Sequence, residues 1–232
     1  MRQVALDTET TGMDIAAGNR ILEIGCIEIV QRVVTGRRFH VYLNPDRDSE
    51  PGALQVHGLT REFLADKPQF VDVVDELLAF IDGAELLIHN APFDLGFLNN
   101  ELKLLSRTGR IEEQQSVLDT LTLARQLHPG QRNSLDALCK RYQVDNSGRS
   151  YHGALLDARL LADVYLAMTA GQGSLSLDMV HHGPALAATG SRAAVQIPRR
   201  RATSAEISAH EERVAELEKK SGNSSLWRHW AV

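Results

Sequence analysis

The chain has 232 residues, of which 43% are hydrophobic and 24% are charged, a composition typical of a soluble globular protein. No segment approaches the roughly 18 to 20 consecutive apolar residues that cross a bilayer. The first residues lead directly into an apolar strand with acids rather than into a signal peptide. Cys26 and Cys139 lack the spacing of a zinc site, so we expect buried, reduced thiols in a cytoplasmic protein without a membrane partner.

The net charge of −5 argues only weakly against nucleic-acid binding, because the charge is unevenly distributed. Residues 172–232 hold 8 Lys and Arg against 6 acids, a balance of +2, whereas the preceding 171 residues have a balance of −7. An acidic domain can still act on a phosphodiester if divalent cations occupy its carboxylates, since the ions reverse the local field. Net charge therefore neither supports nor excludes a protein that acts on nucleic acid.

Hydrophobic periodicity predicts an α/β domain in which early strands are followed by strands mixed with helices. In chain order, the predicted strands cover residues 3–9, 20–30, 38–43, 85–89 and 116–118. The predicted helices cover residues 70–81, 93–105, 119–127, 134–142 and 154–168. Pro45, Pro51 and Gly52 indicate a loop after the third strand. Together these elements predict a mixed sheet flanked by helices.

The pattern breaks near residue 170, and the following glycines and prolines indicate a flexible linker. Thr203 and Glu206 have the spacing of a capping box, which predicts the start of an amphipathic helix. One face of that helix carries Ile207, Val214 and Leu217. Trp227 and Trp230 end the chain, and we expect them to dock onto a partner rather than stay in solvent. The predicted organisation is a domain at 1–171, a linker at 172–202 and a helical tail at 203–232.

Asp7 and Glu9 lie two residues apart on the first predicted strand, so their side chains point to the same face. They come at its carboxyl end, where α/β sheets commonly place active sites. Two carboxylates on one side repel each other, and both gain by sharing a hard divalent cation. Taken alone, the commoner interpretation is a pair of solvated acids.

Three further residues carry chemistry when they are considered together. Asp94 lies near the start of a helix, where an acid also commonly stabilises the N-terminus. Asp157 lies inside the helix at 154–168, whose acids would otherwise form a solvated face. His152 has a side chain suited to deprotonating water near neutral pH, although a single loop histidine usually has no catalytic role. None of these residues is decisive by itself.

Three spaced motifs are far more specific than their members. They are Asp-x-Glu-Thr-Thr-Gly at 7–12, His-Asn-Ala-x-Phe-Asp at 89–94 and His-x-x-x-x-Asp at 152–157. In this order they resemble the DEDDh exonucleases, and most closely the epsilon (DnaQ) proofreading subunits of bacterial DNA polymerase III. The resemblance covers about residues 3–170, and the segment 56–60 also matches the family.

The resemblance implies a ribonuclease-H-like fold and 3′→5′ exonuclease activity on single-stranded or frayed DNA ends. It assigns two divalent cations, Mg²⁺ or Mn²⁺, to the acids Asp7, Glu9, Asp94 and Asp157. It assigns the role of general base to His152. It assigns contacts with the terminal nucleotide to Thr11, Gly12, His57 and Asn90, beside Asp7 and Glu9. In such a site one ion activates water and the other stabilises the departing 3′ oxygen.

The tail also resembles segments of the epsilon subunits that bind partners. Residues 172–177 are similar to the motif that binds the sliding clamp (beta), in which Gln172, Leu175 and Leu177 would enter an apolar groove. A plain linker is the alternative. The remaining tail resembles the segment that binds the polymerase (alpha) subunit. A small accessory subunit accompanies some members of the family, and nothing in this sequence decides whether one is present here.

Two other functions compete with DNA proofreading. An exoribonuclease similar to RNase T or oligoribonuclease is the first, because nothing in the motif at 7–12 excludes a 2′-hydroxyl. A non-catalytic module that bridges polymerase and clamp is the second. The five catalytic positions are all filled, which places the bridging module last.

Overall fold

The computed structural model describes residues 1–147, 151–170 and 202–222. The chain divides into two units, Met1–Asp178 and Met179–Val232. The described residues of the first unit build a five-stranded sheet covered by helices on both faces. Those of the second unit build one helix. The predicted mixed α/β architecture is confirmed.

The sheet combines antiparallel and parallel pairing. Its strands are β1 Arg2–Thr10, β2 Ile21–Val30, β3 Val33–Tyr42, β4 Glu85–Ile88 and β5 Val117–Asp119, in the spatial order β3-β2-β1-β4-β5. The pairs β1–β2 and β2–β3 are antiparallel, whereas β4 runs parallel to β1 and β5. The third strand begins five residues before its predicted start, because Gln31 and Arg32 both have positive φ and form a tight turn.

Five of the described helices of the first unit lie at predicted positions, and three others were not predicted. They are α1 Pro51–His57, α2 Arg61–Leu64, α3 Phe70–Ile81, α4 Ala91–Leu104, α5 Ile111–Gln114, α6 Thr120–Leu127, α7 Leu135–Tyr142 and α8 Ala154–Ala170. The prediction of a loop through Pro51 and Gly52 is wrong, because α1 begins there. Proline is compatible with the first helical turn, where its missing N–H has no helical partner. The four-residue helices α2 and α5 were not predicted.

Two apolar clusters hold the sheet between its helices. On one face, Leu6 of β1 packs with Leu77 of α3 and Phe97 of α4. On the other face, Ala5 packs with Leu161 of α8. Each large apolar side chain that is fully buried contributes about 1.5–3 kcal/mol of transfer free energy. The carboxyl end of β1 therefore lies between two packed layers.

Strand β2 alternates apolar and polar residues in the sequence, and both of its faces are buried. Glu23 and Glu28 occupy polar positions of that pattern and are 2% and 3% exposed. α8 covers the face of the strand that carries Glu23. Glu28 lies five residues further along, on the opposite face, where its carboxylate accepts hydrogen bonds from Arg2 and Thr35. Cys26 and Cys139 are buried and are not joined in a disulfide, as predicted.

The second unit is described through α9 Ser204–Ser221. The predicted capping box is present: Thr203 Oγ1 accepts from the Glu206 amide at 3.3 Å, and the Glu206 carboxylate accepts from the Thr203 amide at 2.7 Å. Ile207 and Leu217 are about half exposed. Residues 172–201 of the predicted linker, with the clamp motif at 172–177, and both tryptophans lie outside the described residues. Within the described ranges, every helix is too short or too polar to serve as a membrane span.

Candidate active site

The carboxyl end of β1 carries the two acids of the first motif. Asp7 and Glu9 share the face of β1 that packs under α8. In the register with β2, Asp7 lies opposite Gly25. A Cβ at Gly25 would collide with the backbone of Ala154 and Leu155. The glycine therefore lets the first turn of α8 lie directly against the sheet beside Asp7.

That first turn brings two members of the third motif to the first. Donor atoms of Glu9, His152 and Asp157 all lie within 4.8 Å of one another. Asp157 is buried in the first turn of α8, and its Oδ2 lies 3.3 Å from Nδ1 of the half-exposed His152. Two carboxylates and an imidazole are donors that bind divalent cations. Residues from the two ends of the domain sequence thus form one compact cluster.

Asp94 approaches β1 from the side of α4. It lies buried in the first helical turn, and its Oδ1 accepts a hydrogen bond from Thr8 Oγ1 at 2.7 Å. Thr8 is the residue between Asp7 and Glu9, so Asp94 reaches the same strand end from the opposite face. Burial raises the pKa of Asp94 to about 7, although hydrogen bonds from Thr8 and from backbone groups act to lower it. Asp7 and Asp94 are not members of the compact cluster of described residues formed by Glu9, His152 and Asp157.

His57 ends α1 and is 4% exposed. Its Nδ1 accepts the Leu59 amide at 2.9 Å, which leaves the hydrogen of the neutral ring on Nε2. That Nε2 is buried and has no hydrogen-bond partner in the described part of the chain. Burial lowers the pKa of His57, partly opposed by the charge of Glu23, so the ring is neutral near pH 7. His57 is therefore a buried donor that the protein itself does not satisfy.

The other residues assigned to the nucleotide lie in loops that are fixed by hydrogen bonds. Asn90 has φ +72°, and its amide donates to Asp119 Oδ1 at 3.1 Å. The Thr11 hydroxyl donates to Asn19 Oδ1 at 2.8 Å and accepts the Arg20 amide at 3.0 Å, so it is used within its own loop. A side chain at Gly12 would collide with Glu50 and Asn19. The nucleotide contacts of Thr11, Gly12 and Asn90 stay predictions.

Glu23, a polar residue near the cluster, escaped the sequence analysis. Glu23 lies opposite Glu9 in the β1–β2 register and accepts a hydrogen bond from His40 Nε2 at 2.8 Å. A Cβ at Gly153 would lie 3.9 Å from both of its carboxylate oxygens. The only signal was an acid in a strand otherwise rich in isoleucine. A polar residue in an alternating strand is normally assigned to a solvent-exposed face, because the strand pattern does not show whether a helix covers that face.

Comparisons with known proteins show which family the chain belongs to. Residues 4–165 match the family model RNase_T, described as an exonuclease. The chain is 52% identical to DNA polymerase III subunit epsilon of Salmonella typhimurium (strain LT2) over 98% of this chain and 97% of the relative. It is 51% identical to the subunit of the same name from Escherichia coli (strain K12), with the same coverage. For Haemophilus influenzae the identity is 46%, over 97% of this chain and 94% of the relative.

Solved structures support the fold. Exonuclease X in complex with 5′ overhanging duplex DNA is 25% identical, with a TM-score of 0.58 over 74% of this chain and 93% of that one. The nuclease domain of 3′hExo, a DEDDh family member bound to rAMP, has a TM-score of 0.63 over 74% of this chain and 92% of that one. At 15% identity, this second likeness shows the fold alone.

The chain belongs to the exonuclease family and, within it, to the DNA polymerase III epsilon subunits. It is a metal-dependent 3′→5′ exonuclease, and its function is that of a proofreading subunit. The predicted DEDDh resemblance and the ribonuclease-H-like fold are confirmed.

Proposed function

We propose that the protein removes mispaired 3′-terminal nucleotides from DNA at the site formed by Asp7, Glu9, Asp94, His152 and Asp157. The observation that carries this proposal is the cluster of Glu9, His152 and Asp157, with donor atoms within 4.8 Å of one another. It lies at the carboxyl end of β1, a position that lets a polynucleotide end enter from solvent.

The donor set fits divalent cations. Four carboxylates provide the hard oxygen ligands that Mg²⁺ and Mn²⁺ prefer. Asp94 supports the fit, because burial raises its pKa to about 7 and its ionised form would gain from a neighbouring cation. We assign two such cations to Asp7, Glu9, Asp94 and Asp157. When bound, they would make water more acidic and stabilise negative charge on the departing 3′ oxygen.

His152 is assigned the role of general base. Its Nδ1 faces Asp157 Oδ2 at 3.3 Å, so a hydrogen on Nδ1 would point at the carboxylate. Nε2 would then be the ring atom that accepts the proton of the attacking water. Asp157 would orient the imidazole, as carboxylates commonly do for histidines in metal sites.

His57 is assigned to the terminal nucleotide. A buried N–H donor without a partner costs about 1–3 kcal/mol, and an oxygen of the bound nucleotide would remove this penalty. Thr11, Gly12 and Asn90 would complete the wall around the nucleotide, with Asp7 and Glu9 beside them. Sugar and phosphate contacts of this kind carry little sequence information, which suits an enzyme that must remove any misplaced base.

The partners are also part of the proposal. The relatives are named as subunits of DNA polymerase III, and the likeness extends over 98% of this chain. We assign the tail beyond residue 202 to the polymerase (alpha) subunit, and Gln172, Leu175 and Leu177 to the sliding clamp (beta). A small accessory subunit is a further candidate partner. The place of action is the bacterial cytoplasm, where chromosomal DNA is copied.

The test follows hydrolysis of 5′-labelled single-stranded DNA with Mg²⁺, beside RNA of the same sequence. We expect one-nucleotide steps on DNA that EDTA abolishes and that Glu9→Ala, His152→Ala and Asp157→Ala strongly reduce. Asp163→Ala is the matched control, because this acid lies on α8 and pairs with Arg159 away from the cluster. Equal loss in the Asp163 variant would contradict the assigned site, and cleavage of RNA alone would contradict the substrate.

A further inference from the structure

The residues around His152 are attached to the end of α1. The amide of His152 donates a hydrogen bond to the carbonyl of Val56 at 3.0 Å. Val56 directly precedes His57, the buried donor assigned to the terminal nucleotide. The half-exposed imidazole of His152 is thus joined through its backbone to the turn that carries His57.

A second contact joins the same two segments. The ring of Tyr151 lies on Gly58, so that a Cβ there would be 3.0 Å from Cδ1 and 3.2 Å from Cε1 and Cγ. Gly58 has φ +69°, and its amide donates a hydrogen bond to the carbonyl of Leu54, which terminates the helix α1. The ring therefore rests on backbone that only glycine leaves open. Tyr151 is 62% exposed, so it is not a core residue of the domain.

We propose that Tyr151 is a positioning residue for the general base. Its ring on Gly58, together with the bond from the His152 amide to Val56, forms a clasp that holds the imidazole against Asp157 and Glu9. The clasp also joins the base to His57, so the proton acceptor and the nucleotide contact keep one mutual geometry. The inference depends on the role proposed above for His152.

The physical reason is the sensitivity of proton transfer to position. A base must lie within hydrogen-bond reach of its water, and a displacement of about 1 Å can cost roughly a hundredfold in rate. The His152 side chain is 44% exposed, so packing alone restrains it weakly. The ring of the preceding residue, which lies on the backbone at the end of α1, adds a restraint on the His152 backbone to the contact of the imidazole with Asp157.

The first test compares Tyr151→Ala with Tyr151→Phe in the full chain. We expect Tyr151→Ala to lower kcat about tenfold with KM within twofold, because the base is displaced while the nucleotide contacts stay. Tyr151→Phe should keep the wild-type kcat, since ring carbons make the contact with Gly58. Phe63→Ala removes another partly exposed aromatic side chain and serves as the control with unchanged kcat. A higher KM with unchanged kcat would mean that Tyr151 touches the nucleotide and would overturn the proposal.

The second test asks whether Tyr151 acts through His152. In a His152→Ala background, Tyr151→Ala should change kcat by less than twofold, because the group that it positions is gone. A further tenfold loss in that background would show an effect on the fold or on other groups, and would refute the clasp.

Hydrogen exchange of the His152 amide gives a readout without substrate or metal. Tyr151→Ala should speed this exchange about tenfold, and Tyr151→Phe should not. Unchanged exchange in Tyr151→Ala would show that the ring does not secure the bond to Val56. If His152→Ala itself kept full activity, the proposed base would be wrong, while the exchange result would still report on the contact of Tyr151 with Gly58.

Discussion

Gly25 provides the sharpest test of how the fold assembles the site. It lies in β2 opposite Asp7, and the backbone of Ala154 and Leu155 occupies the space of its missing side chain. Ordinary contact begins at 3.4 Å, so a Cβ there requires the first turn of α8 to move by about 1 Å. His152 precedes that turn and Asp157 lies in it, so both would move away from Glu9.

Two magnitudes follow for Gly25→Ala. Overpacking of this kind costs about 1–3 kcal/mol, and a domain of this size loses roughly 2–4 °C in Tm per kcal/mol. A misplacement of about 1 Å in catalytic groups costs roughly a hundredfold in rate. We therefore expect a moderate fall in Tm and a disproportionate fall in kcat.

The assay pairs thermal unfolding with single-turnover hydrolysis of single-stranded DNA. Gly52→Ala is the control, because Gly52 lies in α1 with nothing within 4 Å of its Cβ position. That variant should gain up to about 1 kcal/mol of helix stability and keep its activity. Wild-type Tm and kcat in Gly25→Ala would refute the close packing of α8 on β2 as the device that places His152 and Asp157.

Three further predictions follow from buried polar groups. Asp94 has a pKa raised to about 7, so its contribution to stability without metal is full below about pH 4 and is lost as the pH rises through 7. The Tm advantage of Asp94→Asn over wild type in EDTA should therefore grow across that range, and a constant difference would contradict it. His57→Ala should lower kcat/KM on single-stranded DNA about 10- to 100-fold, because the variant loses the buried Nε2 donor assigned to the nucleotide. An unchanged kcat/KM would show that His57 does not contact the nucleotide. Glu28→Gln, at a carboxylate that Arg2 contacts at 2.7 Å, should lower the free energy of unfolding in urea by about 1–3 kcal/mol and leave kcat intact. A large loss of kcat would contradict a purely structural role for Glu28.

The fold could be predicted where local patterns were strong. The helix at Phe70–Ile81 has the predicted bounds, and the capping box of Thr203 and Glu206 is present. The predictions failed where local signals conflict with context. Pro51 and Gly52 are turn formers, yet proline is also favoured in the first turn of a helix, and α1 begins there.

Some residues of the candidate site could be predicted from the sequence, and others could not. Motif order alone singled out Glu9, His152 and Asp157, which the structure brings together. Glu23 and Tyr151 escaped the sequence analysis. An acid in a strand and a tyrosine in a loop have ordinary surroundings until distant segments pack against them.

The sequence by itself determined the family and the mixed α/β class and predicted the residues of the candidate site, because these depend on residue types at fixed local spacing. Alternation along β1 already places Asp7 and Glu9 on one face. The tertiary structure alone decided that Gly25 admits the first turn of α8 and that Gly58 carries the ring of Tyr151. These close approaches join segments far apart in the chain, and steric exclusion between such segments has no signature in local periodicity.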